Sequence, residues 1–518
     1  MWQGASFAAS ASRRRSTSST GWSTLRTSTR CTRNLSAAAR GNPCPAANRT
    51  SYGSTATSLR TDALACYGNR FGRMHTPNID SIAAAGVLFE NNFVNSPVCV
   101  ASRTSTMTAL YPEDTGVYNN EAAKAEYRLA RDYETFPEVF ARHGYTTANF
   151  GKVHLPSGLA PWMHSEDDGG DMQPFYEGVP REELDMIHVP NFPYIVIGGR
   201  YPGDRAYPAE PVTRNAIRWL QTAPEPFFMR LSYLQPHTPV LPPPPFDQMY
   251  QSLDFPDAIT SAKPLSAFES RFRQIVGADK LTPDQIRRIH VAYYGLVAWL
   301  DAQIGQFLTA LRATRFHDNT IIVFESDHGA SLGEGGRLQK LTFAPEVLRV
   351  PRIIAWPGTL PAGQRRADVT EGVDLARTLL SLAELPAPEH MRGRSVFTAP
   401  APEAVHATIG YGYTSSRAFP SSAQGTLDDD HGWPRRSCLR TWRYRFEVNT
   451  RINNAPPTPE QEDAVLVDRV TDPDETVNVA GDPRYRTIRH TLSRLLEERT
   501  RSSYTPPEHL TTGRYEMK

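Results

Sequence analysis

Apolar runs that stop abruptly at polar or ionisable residues, with segments of helical spacing between them, constrain this chain more than any other feature. NTIIVFESDHG closes on Asp327 and His328, PFFMRLSYL runs into Pro236 and His237, and TFPEVFARHGYTTANFGK ends on Gly151 and Lys152. Such alternation predicts an α/β fold with a large, mostly parallel sheet buried under helices. Ligands of these folds gather beyond the carboxyl ends of the strands. PNIDSIAAAGVLFEN reads as a helix then a strand, Ser102 to Leu110 as a helix, and VPRIIAWPG as a strand. IRRIHVAYYGLVAWLDAQIGQFLTALRA carries apolar residues at three- and four-residue steps and predicts one long helix.

The 518 residues, 39% of them hydrophobic, supply ample material for a core. A net charge of +1 implies neither nucleic acid nor a membrane surface as partner. It hides an asymmetry. Residues 1–58 hold eight Arg and no Asp, Glu or Lys, which leaves 48 basic against 55 acidic groups, about −7, in the remainder. Cys31, Cys44, Cys66, Cys99 and Cys438 have no spacing that suggests a disulfide framework or a zinc module. No apolar run approaches the roughly 18 residues of a membrane span, and no secretory h-region is visible. The chain reads as soluble, with the compartment open between cytoplasmic and exported. Residues 1–58 lack apolar periodicity and are expected to be extended and poorly packed. Residues 59–395 are expected to form the α/β catalytic domain. TAPAPEA, past residue 398, reads as a linker into a smaller α+β subdomain over 396–518, with strands in WRYRFEVN and AVLVDRV and a terminal helix in TIRHTLSRLLEER.

Cys99-Val100-Ala101-Ser102-Arg103 suits a modified nucleophile at a helix start; alone, it reads as a buried Cys beside a capping Ser. It is followed by Gly151-Lys152-Val153-His154, Pro236-His237-Thr238-Pro239, Ser326-Asp327-His328-Gly329, and Lys340 ahead of Val350-Pro351. In that order and spacing these segments resemble the sulfatase family, as do VDLARTLLSLAELPAPEHMRGRSVF and VTDPDETVNVAGDP. The resemblance runs from about residue 59 to the C-terminus. It implies an alkaline-phosphatase-like sandwich that hydrolyses a sulfate monoester through a formylglycine hydrate made from Cys99 by a formylglycine-generating enzyme. It also implies a divalent cation, usually Ca2+, held by Asp327 and His328 together with the modified Cys99. Lys152, His237 and Lys340 would bind sulfate, His154 would act as base on the hydrate, and Arg103 would brace it. His237 would also help protonate the leaving oxygen. The substrate would be a sulfated small molecule or carbohydrate. Trp162, Tyr176 and Trp433 are candidates to stack on it, with ordinary packing an equal reading, and loops 164–186 and 413–436 would set specificity.

One segment departs from the family. Its first strand has the form P-N-I-L-run-Asp directly before L-R-x-D and ends on cation-binding Asp. Here Leu59-Arg60-Thr61-Asp62 is present, but SYGSTATS stands where the strand should be, with Thr57 and Ser58 at the Asp positions. This pattern suggests translation in a wrong frame that rejoins the true one near Thr57 or Ser58; a compact, buried strand over 49–58 would refute that. Without the Asp, cation binding should weaken by orders of magnitude. Two other readings therefore stay open: a phosphonate or phosphate ester hydrolase of the same superfamily, and a non-catalytic sulfatase-like binding protein.

Overall fold

A computed structural model describes residues 50–68, 74–120, 133–156, 159–166, 173–253, 255, 263–410, 434–452 and 455–501. Eight strands form the main sheet, in the order Gln364–Glu371, Val87–Phe93, Arg352–Ala355, Thr320–Ser326, Thr50–Thr57, Phe227–Pro236, Thr146–Gly151, His164–Glu166. Every neighbouring pair is parallel except those of Arg352–Ala355, which runs against both its neighbours. Alternation along each strand sends side chains into two separate cores. Ile322 and Phe324 join one and Ile321 and Val323 the other. The expected long helix is Pro283–Arg312, opened by a Thr282–Gln285 capping box. Its Asp301 carboxylate accepts from the backbone N–H groups of Asn78 and Ile79, at 3.1 and 2.8 Å, and so caps the Pro77–Ala85 helix. Among the described residues no helix is long and apolar enough to cross a membrane.

The expectation for residues 50–58 is overturned. Thr50–Thr57 is a buried strand in the interior of the sheet, parallel to Phe227–Pro236 on one side and Thr320–Ser326 on the other. By the criterion stated above, the frame-slip reading loses its structural ground: the chain as written supplies its own central strand. A strand buried on both faces normally shows itself as a Val/Ile/Leu run. Here TSYGSTAT succeeds because ladders on both sides, one of them interrupted between Thr55 and Thr57, engage its backbone and Tyr52 stacks on Phe307, with ring centroids 4.4 Å apart. The composition has a cost, since the Ser51 hydroxyl is buried without a hydrogen-bond partner. Ser51→Ala is therefore expected to raise stability by about 1 kcal/mol in urea denaturation, and a loss of that size would show that the hydroxyl is satisfied. Residues 1–49 lie outside the described residues.

A second, antiparallel sheet follows, ordered Val405–Gly410, Pro434–Arg440, Tyr444–Ile452, Val465–Asp468. The helix Arg486–Thr500 lays Leu492 and Leu496 into its core. Arg440 ties this sheet to the main body by donating to the Phe343 carbonyl at 3.0 Å, and Glu475 holds it there, accepting from Arg440 at 2.8 Å and from Arg445 at 3.0 Å. Burial works to raise the Glu475 pKa, but Arg440 and Arg445 outweigh it and push it down to about 2. A carboxylate with a depressed folded pKa contributes its full stability above its unfolded value, near 4.5, and loses that contribution as pH falls towards 2. The melting temperature is expected to fall across that window, and Glu475→Gln should flatten the fall. An unchanged acid limb in the variant would place the loss elsewhere.

Candidate functional site

The carboxyl ends of the central strands and one buried helix assemble the site. That helix is Cys99–Thr108, so it begins at Cys99 itself, three residues before the expected Ser102, and all ten of its residues are buried. Val98, which precedes it, offers no side-chain cap; the Val100 N–H instead donates to Asn120 Oδ1 at 3.0 Å. Cys99 thus sits in the first turn, where unpaired N–H groups favour an anion.

Four groups converge on the Cys99 sulfur. Lys340 Nζ lies 2.8 Å from Sγ, Lys152 Nζ 3.6 Å and His328 Nε2 3.1 Å, and His154 is close enough to help stabilise a thiolate. Burial alone would raise the thiol pKa, but Lys152, Lys340 and His328 together hold it well below its ordinary value. Lys340 also donates to His237 Nε2 at 3.0 Å. The sequence-predicted residues Cys99, Lys152, His154, His237, Asp327, His328 and Lys340 therefore do form one cluster. The two ammonium groups close directly on the sulfur.

Left-handed backbone holds much of this in place. Ser58, His154, Gln339 and Leu341 have φ of 66°, 45°, 65° and 78°. Non-glycine residues in that region cost of order 1–3 kcal/mol each and tend to gather at functional sites. Gln339 and Leu341 flank Lys340. His154 follows a turn begun by Gly151 at φ 86°, where a Cβ would approach the Ser232 carbonyl oxygen to 2.3 Å. The strand has ended by then, so Lys152 and His154 reach Cys99 through this turn, not through the two-residue repeat of a strand.

Arg103 differs most from expectation. Its Nε donates to Asp327 Oδ2 at 2.7 Å and its other nitrogens to the Lys152 carbonyl at 3.0 Å, Ser232 Oγ at 2.9 Å and Thr57 Oγ1 at 2.8 Å. Among these bonds none reaches Cys99, so Arg103 braces the residues around the nucleophile and not the nucleophile. Ser232 and Thr57 were invisible as partners because their contacts depend on strand register alone. Ser102 Oγ donates to the Asp327 carbonyl at 2.5 Å, which locks the helix to the Thr320–Ser326 strand.

In two of the three cluster histidines Nδ1 is fixed as a donor, because a carbonyl can only accept. His237 Nδ1–H donates to Thr238 O at 2.7 Å and His328 Nδ1–H to Gly329 O at 2.8 Å. Burial, with Lys340 and Lys152 beside it, pushes His237 down to about 3, so it is neutral here. Burial likewise lowers Lys152 to about 8. Trp162, a candidate for stacking on a sugar, is taken by the core: it stacks on Phe228 and lies under the Arg230 guanidinium, 4.9 Å away. Tyr176 packs against the core as well, and Trp433 lies outside the described residues.

Cys99, Asp327 and His328 offer donor atoms within 4.8 Å of one another, the arrangement of a metal site. Calcium takes six to eight oxygens, several of them carboxylate. This set supplies one carboxylate, whose Oδ2 is engaged by Arg103, and Thr57 presents a hydroxyl that donates to the Tyr233 carbonyl at 2.9 Å. The residues present do not fit calcium.

Comparison with known proteins agrees with the fold. Iduronate 2-sulfatase of Mus musculus is 30% identical over 390 residues, 63% of this chain and 67% of that protein. An arylsulfatase of Clostridium perfringens is 27% identical over 65% of this chain and 75% of its own length. The phosphonate monoester hydrolase of Agrobacterium radiobacter superposes with a TM-score of 0.71 at 21% identity, over 87% of this chain and 95% of its own. The sulfatase family model matches residues 55–385, beginning inside the central strand and ending beyond every residue of the cluster, and the chain belongs to the sulfatase family.

Proposed function

We propose that the chain hydrolyses a sulfate monoester at the Cys99 cluster, and that its substrate is a sulfated small molecule or carbohydrate. The observation that carries this reading is the convergence of Lys340 and Lys152 on one buried sulfur, at 2.8 and 3.6 Å. Two ammonium groups in a low-dielectric site stabilise an anionic ester and the charge that grows on it in the transition state. Conversion of Cys99 to formylglycine, by a formylglycine-generating enzyme acting on this chain, would supply the hydrated aldehyde as nucleophile. His154 lies near enough to hydrogen-bond at that position and is suited to take a proton from it. Burial is the main cause that depresses His237 and the lysines add to it; an anion between the lysines would offset their share and favour proton exchange between His237 and the leaving oxygen. Arg103 positions Asp327, Lys152 and Thr57. No step is assigned to calcium, which the donor set does not fit.

The runner-up is phosphonate or phosphate ester hydrolysis. Among the described residues, only one cluster of three such donors exists, where a two-metal phosphatase needs two. Lys152 and Lys340 beside Cys99 fit a site with one cation and two ammonium groups better than one with two metals. Parallel assays of p-nitrophenyl sulfate and p-nitrophenyl phenylphosphonate should give a kcat/KM at least about 100-fold higher for the sulfate. A preference for the phosphonate sinks the sulfate reading. Binding of both without turnover would favour the non-catalytic one.

A further inference from the structure

A cavity of about 320 Å3, lined by none of the Cys99 cluster, lies between the main body and the antiparallel sheet. Seven cationic and five acidic side chains line it, and their pairing is uneven. At one end the charges cancel locally. Arg60 pairs with Asp62 and Glu334 at 2.6 and 2.5 Å, and Arg337 pairs with Glu269 and Glu346 at 2.6 and 3.2 Å. At the other end, Arg440, Arg445 and Arg469 all converge on the single carboxylate of Glu475, at 2.8, 3.0 and 3.1 Å.

Arg445 has Glu447 as a second partner, but Arg349, half-buried on the cavity wall, makes no ion pair or side-chain hydrogen bond with any described residue. Four guanidinium groups therefore face two carboxylates, a surplus of two positive charges. Arg440 is 2% exposed, stands over the Phe93 ring at the cavity floor, and keeps its Nε buried with no partner. Burial, together with Arg440 and Arg349, pushes Arg469 below its ordinary pKa, the sign of a guanidinium crowded by like charge. Asp474 and Lys263 lie exposed at the rim, so the cavity opens to solvent.

We propose that this end of the cavity is a second anion site, which takes a divalent tetrahedral oxyanion (a sulfate or phosphate group) between Arg349 and Arg469. A doubly charged oxyanion matches the surplus, and guanidinium groups bind such oxygens in paired, charge-assisted hydrogen bonds. The group has two sources, free inorganic anion and a sulfate ester carried on a sugar. The site is independent of the reaction proposed for Cys99 and survives if that proposal fails.

Equilibrium dialysis on the full chain at constant ionic strength tests it, with inorganic sulfate, inorganic phosphate and glucosamine 6-sulfate as separate probes. Lys340→Ala is expected to keep one saturable site. Adding Arg349→Ala to it should weaken that site at least tenfold without changing the melting temperature, since Arg349 has no partner to lose. Arg469→Gln provides a second variant with the same expected direction. Binding of the inorganic probes identifies a free-anion site, and binding of the sugar sulfate alone identifies an ester site. Unchanged affinity in the Arg349→Ala chain for all three probes, or no saturable binding in Lys340→Ala, overturns the proposal.

Discussion

Cys99→Ala is expected to bring sulfate-ester turnover to the uncatalysed background, a loss of about 10⁴-fold or more, because the alanine can neither attack nor be converted. The fold should survive. Cys99 is small and fully buried, and its bonds are to side chains that reach it from other elements. Stability has two opposed terms. Losing the thiolate leaves Lys340 and Lys152 facing each other without the anion between them, which is destabilising, while the buried anion itself is no longer present. Initial rates on p-nitrophenyl sulfate and the melting temperature, measured on the same preparations, separate chemistry from folding. Retention of a tenth of the parent rate would place the nucleophile elsewhere.

Thr57→Asp is expected to raise calcium affinity by about two orders of magnitude or more, by adding a second carboxylate beside Asp327. The position can receive it. Arg103 already donates to Thr57 Oγ1 and would donate to the new carboxylate, and the Ser58 N–H already contacts Asp327 Oδ1 at 3.3 Å. The opposing term is the lost hydrogen bond from Thr57 to the Tyr233 carbonyl, a loss of about 1 kcal/mol. Calorimetric titration of parent and variant with calcium reads the effect directly, and turnover should become calcium-dependent in the variant. Equally tight calcium binding by the parent would mean that another residue completes the shell.

Where elements announce themselves by apolar periodicity, the sequence was readable. The helix Pro283–Arg312 and the strands Thr320–Ser326 and Phe227–Pro236 fall where Ile, Val, Leu and Phe recur at the right spacing. Thr50–Thr57 was missed for the converse reason: Ser, Thr and Gly carry no burial signal, and the strand is made by its two neighbours. That these residues cluster was readable from the order of short motifs, most of which lie at or near a strand end. Orientation was not. The partners of Arg103 depend on register between strands, and the approach of His154 depends on a left-handed turn that no spacing rule encodes.

The central strand also sets a timetable. Ser51 pairs with Phe228 and Ile321, partners separated from it by about 180 and 270 positions, so its two ladders close only after most of the chain exists. Contacts of such separation form slowly, since the loop entropy is lost before the contacts repay it. At a synthesis rate of about 5–20 residues per second, roughly 14 to 54 seconds pass between the appearance of residue 51 and that of residue 321. During that interval the Cys99 segment has no Asp327, His328 or Lys340 to bury it. Afterwards its sulfur is sealed within a helix whose every residue is buried. Any chemistry performed on Cys99 by another protein thus competes with the arrival of the strand that closes over it, and a faster-folding variant would leave more of the thiol unaltered.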